Sequence, residues 1–286
     1  MVCTSMTLPS TPTVRSVIVP GARLHYEIRG AADFAARRGG PLLLVIGSPM
    51  ASADFAPLAD ALAGDHTVVT YDPRGHANST IDDPGEDSTP ESRADDIAAI
   101  LDDLSAESAD VFGSSGGAVT GLALVARHPG RVRTLVAHEP PLLELLPDAA
   151  QQRAKTEDII ETFHAVGMQA AWYKFMVNAG FDMTMPSKMP ADPPEPTEQD
   201  LREAARFFDH ELRPTTRYLP DIDALKNSAA RVVIGIGADS GQLLTYGTSV
   251  ALCELLGSTP VEFPGDHGGF MGAPTEFADT LRTVLS

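Results

Sequence analysis

Apolar, β-rich runs alternate with helical patterns along most of this chain of 286 residues, and that alternation confines it to very few architectures. Leu42 to Ile46 and Thr67 to Tyr71 read as strands buried on both faces; a helical pattern follows the first near Ala51 to Leu62 and the second near Glu91 to Leu104. The next units are Ala109 to Phe112 with its helix to Ala126, then Val132 to Ala137. Parallel neighbours cannot be joined by a tight turn, so repeated strand-helix-strand units predict a parallel sheet with helices packed on both faces. Ahead of them, Thr13 to Val19 and Arg23 to Ile28 alternate in polarity around Pro20-Gly21, as an opening hairpin does. At the other end the pattern resumes with a strand at Arg231 to Ile236, a helix at Ser249 to Leu256, a strand at Val261 to Phe263 and a helix at Thr275 to Val284.

Between Pro140 and about Ala230 the alternation stops and helical segments take over, broken by prolines from Met185-Pro186 through Pro190 and at Pro193-Pro194-Glu195-Pro196. The sheet needs strands from both sides of this stretch, so it is an insertion and not a second domain. The expected division is a core of residues 1–139 and 231–286 and a helical cap of residues 140–230.

Composition excludes several function classes. With 43% hydrophobic residues and no apolar run near the roughly 20 residues a membrane helix needs, the chain reads as globular and not membrane-bound. A formal net charge of −18 argues against a nucleic-acid partner, which would demand a basic stripe, and favours a neutral or cationic small molecule. Cys3 and Cys253 form no disulfide framework and no metal cluster, so reduced thiols are expected. Met1 to Arg15 lacks the basic start and apolar centre of a secretory signal, which predicts a cytoplasmic protein.

Chemistry enters at Gly113-Ser114-Ser115-Gly116-Gly117, which follows the run Ala109 to Phe112 and opens the apolar stretch from Ala118 to Ala126. Alone, five such residues would also suit an ordinary Gly-rich loop. Between a strand and a helix, the Gly-x-Ser-x-Gly spacing is that of a nucleophile elbow: a strained turn presents Ser115, and glycines two residues away on either side let strand and helix approach.

Over its full length the chain resembles the α/β-hydrolase superfamily, on four motifs in order. They are the Ile46-Gly47-Ser48-Pro49-Met50 turn, the Asp72-Pro73-Arg74-Gly75-His76-Ala77-Asn78-Ser79 turn, the elbow at Ser115, and Pro264-Gly265-Asp266-His267-Gly268-Gly269-Phe270 after the last strand. The resemblance implies a mostly parallel, eight-stranded twisted sheet with helices on both faces and a helical cap inserted after the sixth strand. It makes Ser115 the nucleophile and His267, in a solvent-accessible loop that leaves it free to rotate, the general base. Ile46 stands where similar enzymes carry a histidine, but the oxyanion donors would be the backbone N–H groups of Ser48 and Gly116, which that change leaves intact. The segment with His76 reads as structural.

Two carboxylates satisfy the order serine, acid, histidine. Asp239 follows the seventh strand, the commoner place in the superfamily; Glu139 sits at the tip of the sixth, ahead of Pro140-Pro141. The stretch from His128 to Pro140 resembles the zearalenone lactonase group, whose acid is a glutamate after the sixth strand. A carboxylate at the end of an interior strand is costly unless it is hydrogen-bonded to a partner such as His267. Glu139 is therefore the favoured acid and Asp239 the alternative. Asp266 is placed too close in sequence to reach the His267 ring, and His138 is expected to be a satisfied structural histidine.

A serine at the elbow disfavours chemistry through an aspartyl ester and leaves acyl transfer to water, without metal or organic cofactor. The expected activity is hydrolysis of a carboxylic ester or lactone; alternatives on the same triad are haloperoxidase, perhydrolase or carbon–carbon bond hydrolase activity, or a ligand-binding member of the fold that no longer turns over. Met168, Trp172, Tyr173, Phe175, Met176, Phe181, Met183, Met185 and Met189 give the cap an adaptable apolar wall suited to a medium-sized apolar or aromatic acyl group. Trp172 and Met176, with Met50 and Phe270 from the core, are the expected substrate contacts. Apolar cap surface would serve a homodimer equally well.

Overall fold

The computed structural model describes residues 11–30, 41–183 and 195–286. Its strands are β1 (Thr13–Val19), β2 (Ala22–Arg29), β3 (Leu42–Ile46), β4 (Thr67–Tyr71), β5 (Thr80–Ile81), β6 (Ala109–Ser114), β7 (Val132–His138), β8 (Arg231–Gly237) and β9 (Val261–Phe263). Eight of them lie in the order β1-β2-β4-β3-β6-β7-β8-β9. The pairs β1–β2 and β2–β4 are antiparallel, and every neighbour from β4 to β9 is parallel. The ninth, β5, was not anticipated: two residues pairing with β2 leave no alternation to read, and they form because the turn after β4 folds back along the hairpin, where the Asp82 N–H donates to Gly21 O at 2.8 Å.

The helices are α1 (Ala56–Leu62), α2 (Pro90–Asp103), α3 (Gly116–Arg127), α4 (Ala149–Ala165), α5 (Met168–Ala179), α6 (Glu198–His210), α7 (Leu212–Thr216), α8 (Ile222–Asn227), α9 (Leu244–Leu256), α10 (Gly269–Gly272) and α11 (Pro274–Leu285). None among the described residues is long and apolar enough to cross a membrane. Two begin elsewhere than the sequence suggested. Helix α1 starts at Ala56 and not near Ala51, because Pro57 sets its first turn and Asp54 accepts from the Ala51 N–H at 2.8 Å to make a turn of the residues before it. Helix α9 starts at Leu244, a turn ahead of Ser249: Gly247 and the threonines disguise that turn, yet Thr248 is held by donating to Pro140 O at 2.6 Å.

Successive residues of the central strands enter opposite layers, as a pleated strand buried on both faces requires. Leu42, Leu44 and Ile46 pack with α2 and α3, whereas Leu43 and Val45 join Phe55, Phe270 and Phe277 on the other face. Helices α4 to α8 occupy the interval between β7 and β8 and hold an apolar cluster of their own around Ile159, Ile160, Phe207 and Phe208. Buried polar contacts fasten them to the rest: His76 Nε2 meets Glu211 Oε1 at 2.8 Å and Arg93 donates to Thr215 Oγ1 at 2.9 Å. Cys253 is buried and free in α9, while Cys3, Met185, Met189 and the prolines from Pro186 to Pro194 lie outside the described residues.

Candidate active site

Ser115 stands between β6 and α3 with φ 56° and ψ −124°, a left-handed strand-to-helix turn that an L-residue adopts only under constraint. Its N–H donates to His138 O at 3.0 Å. The glycines around it have no room for side chains. A Cβ on Gly113 would lie 2.5 Å from Gly117 O, and one on Gly117 would lie 2.2 Å from Ile46 O. The spacing read from the sequence is thus a packing requirement: strand β6, the turn after β3 and the first turn of α3 meet backbone to backbone. One more contact of this kind brings the two expected oxyanion donors together, since a Cβ on Gly116 would stand 2.6 Å from Ser48 O. The Gly116 N–H is among those that the first turn of a helix leaves without an intrahelical acceptor.

At the end of β7, Glu139 has φ 50° and is fully buried. Its Oε2 meets His267 Nδ1 at 2.6 Å and accepts from the Thr245 hydroxyl at 2.9 Å, while Oε1 accepts from the Gly237 N–H at 2.8 Å. Burial alone would raise this carboxyl, but the hydrogen bond from the His267 ring, and the charge that ring can carry, bring it down to about 2, so it is ionised throughout the neutral range. Asp239, the alternative acid, is exposed in the turn after β8, where its N–H donates to Gly265 O at 2.9 Å. The carboxylate on the His267 ring is that of Glu139. Asp266 instead accepts from the Gly268 N–H at 2.9 Å, within its own loop.

His267 is not free to rotate, contrary to the expectation for a Gly-rich loop. Besides its bond to Glu139, its ring lies 6.1 Å from that of His138 at an interplanar angle of 25°, and Phe181 approaches edge-on at 6.3 Å. The loop is short of side chains, yet its one imidazole is held from three sides.

Ser48, Ser115, Gly116 and His267 open on a single cavity of about 470 Å³, and Met50, Trp172, Met176 and Phe270 all line it. Phe270 reaches it as a packed floor, 1% exposed and stacked on Phe55 at 4.9 Å. Trp172 is fixed by stacking on Phe207 at 4.9 Å and 11°. Phe175 and Phe181 join the wall, Met168 lines a neighbouring cavity of about 340 Å³ shared with His76, and Tyr173 points to solvent, 58% exposed. Tyr173 misses the wall because it directly follows Trp172 on α5 and so projects from a different side of that helix. Sequence reasoning missed Thr245 and Gly237, which hold Glu139, and Leu143, which lines the cavity. Nothing in a threonine or glycine outside a motif announces a role.

Comparison with known proteins agrees with this fold. A family model described as alpha/beta hydrolase fold matches residues 40–272. An uncharacterized hydrolase of Bacillus subtilis (strain 168), YraK, is 33% identical over 274 residues, covering 93% of this chain and 94% of the relative. Among solved structures, a hydrolase from Pseudomonas aeruginosa PA01 superposes with a TM-score of 0.72 at 23% identity, covering 96% of this chain and 98% of the other. A thermophilic esterase from Thermogutta terrifontis does so with a TM-score of 0.71 at 18% identity, over 96% and 98%. These matches do not show the narrower likeness to the zearalenone lactonase group. Strand order, elbow and family match together mean that the chain belongs to the alpha/beta-hydrolase family and is a hydrolase.

Proposed function

We propose that the protein hydrolyses a carboxylic ester or lactone of a medium-sized apolar or aromatic acyl group through an acyl-enzyme on Ser115. The observation that carries this is the 2.6 Å bond between His267 and a buried, ionised Glu139 at the edge of the cavity that also holds Ser115. His267 takes the Ser115 proton as the hydroxyl attacks the carbonyl and returns it to the leaving oxygen. Glu139 orients the ring and balances the charge it gains. The N–H groups of Ser48 and Gly116 receive the oxyanion, and a water activated by His267 then releases the acid. Helices α4 to α8, within residues 140–230, act as a cap that supplies Trp172, Phe175 and Met176 to the substrate, while the core of residues 1–139 and 231–286 supplies the reacting groups. The preponderance of apolar side chains around the cavity supports an ester or lactone with a sizeable apolar part over a small polar substrate.

The test is hydrolysis of p-nitrophenyl esters of graded acyl length and of an aromatic macrolactone. Wild type should turn over at least one, and Ser115→Ala none. Glu139→Gln should lose on the order of 10,000-fold in kcat, as removal of a triad acid does, and Asp239→Asn should stay within about 2-fold of wild type. No turnover together with no labelling of Ser115 by a fluorophosphonate would overturn the proposal.

A further inference from the structure

His138 immediately precedes the proposed acid, lies one layer beneath the proposed base, and takes no part in the mechanism above. Its ring is 0% exposed. Phe277 at 5.4 Å, Phe263 at 5.7 Å, Phe112 at 5.9 Å and Phe270 at 6.5 Å enclose it, and the His267 ring lies 6.1 Å away, inclined at only 25°. A ring filling an apolar box would ordinarily be a phenylalanine, because an imidazole there brings two nitrogens that must be satisfied. One of them is: Nδ1 lies 3.2 Å from Ser114 Oγ. The other, Nε2, has no partner among the described residues. The Phe263 and Phe277 rings stand edge-to-face to the imidazole, at 77° and 80°. Either neutral tautomer satisfies Nδ1, since the Ser114 hydroxyl can donate to a bare Nδ1 or accept from an Nδ1–H.

This bond joins the last residue of β6 to the last residue of β7. Ser114 precedes the nucleophile, and His138 precedes the acid. The backbone repeats the link, since His138 O accepts the Ser115 N–H at 3.0 Å. Room for the ring is made on β8, where a Cβ on Gly235 would stand 3.3 Å from His138 Cδ2 and 2.9 Å from Phe263. Burial also pushes the His138 imidazole down to about 3, so the ring stays neutral and puts no second positive charge beside His267 when that base takes up a proton.

Granted the triad proposed above, we infer that His138 is a positioning residue: locked by Ser114, its ring is the platform that holds His267 in line between Glu139 and Ser115. A phenylalanine would fill the same volume but could slide or tilt. The Ser114 bond fixes the imidazole's orientation, and the stack transmits it to His267.

Two readouts test this in the full-length protein. The first is the proton NMR resonance of the His267 Nδ1–H in its short bond to Glu139, which belongs far downfield and needs no substrate. The second is the rate of Ser115 labelling by a fluorophosphonate. His138→Leu should broaden or shift the resonance and slow labelling by about 100-fold, the scale of a misplaced catalytic group, without raising the probe concentration for half-saturation more than about 3-fold. Ser114→Ala, a one-atom deletion that folds even if the leucine variant does not, should slow labelling by about 5-fold and move the same resonance, because the platform is unlocked. His138→Phe combined with Ser114→Ala, which restores a flat ring without an unpaired hydroxyl, should recover most of the leucine variant's loss. An unmoved resonance and parental labelling in Ser114→Ala or His138→Leu, with only the melting temperature lowered, would reduce His138 to core packing and overturn the inference. A wild type that shows the resonance but is not labelled would sink the proposed hydrolysis and leave the NMR comparison to decide on His138.

Discussion

Replacing His138 by phenylalanine should change stability by an amount that depends on pH, in favour of the variant as pH falls from 7 to 5. Burial among four phenylalanines holds the folded-state imidazole at about 3, against about 6.5 for an unfolded histidine. Because the folded value is the lower one, the unfolded chain binds the proton first, and stability is lost as pH falls from about 6.5 towards about 3. From those two values the loss between pH 7 and pH 5 comes to about 2 kcal/mol. The phenylalanine variant has no such proton to exclude; it strands the Ser114 hydroxyl and removes the unpartnered Nε2, two opposing effects that do not vary with pH. The gap between the two proteins should therefore move by about 2 kcal/mol in favour of the phenylalanine variant between pH 7 and pH 5. Glu139 and His267, the titratable groups that face His138, and all other titrating groups are present in both proteins, so they largely cancel in the difference. Urea denaturation of the two proteins at half-unit pH intervals measures it. Parallel curves, with a gap independent of pH, would refute the claim that a neutral imidazole is enforced here.

The remaining expectations concern backbone and cap. Gly116→Ala should lower kcat by about 100-fold at nearly constant KM, because its Cβ, 2.6 Å from Ser48 O, forces the two proposed oxyanion donors apart; steady-state kinetics on the best ester decide. Ser115→Gly should raise the unfolding free energy by about 1 kcal/mol over Ser115→Ala, both inactive, since only glycine relieves the strain at φ 56°; equal melting curves would deny that strain. His76→Ala should cost about 3 kcal/mol by leaving the buried Glu211 carboxylate short of its partner at 2.8 Å, and His76→Phe with Glu211→Leu should recover most of it, as read by thermal unfolding.

Much of the candidate site could be read before any coordinates, for a local reason. The elbow is a five-residue device whose glycines are demanded by contacts within its own turn and with the strand beside it, so its chemistry is written in adjacent letters. The same holds for the proposed oxyanion turn at Ser48 and for the loop that carries His267. Glu139 was harder. Two carboxylates fitted the order along the chain, and what distinguishes them is where β7 ends relative to a loop more than a hundred residues later. The apolar cap residues divide likewise: Trp172 and Met176 line the cavity while Tyr173, of the same character and next in sequence to Trp172, faces solvent.

By itself, then, the sequence determined the alternating strand-helix architecture, the inserted helices and the strained serine, because hydrophobic period and glycine spacing act over a few residues and survive any arrangement of the rest. Only the tertiary structure decided which carboxylate meets His267, that the imidazole in its Gly-rich loop is held from three sides, and that His138 faces it across a stack. Those outcomes depend on parallel strands delivering their C-terminal ends to one edge of the sheet. Hydrogen bonds and ring contacts at that edge join Ser114, Glu139 and His267 across separations that no local pattern encodes.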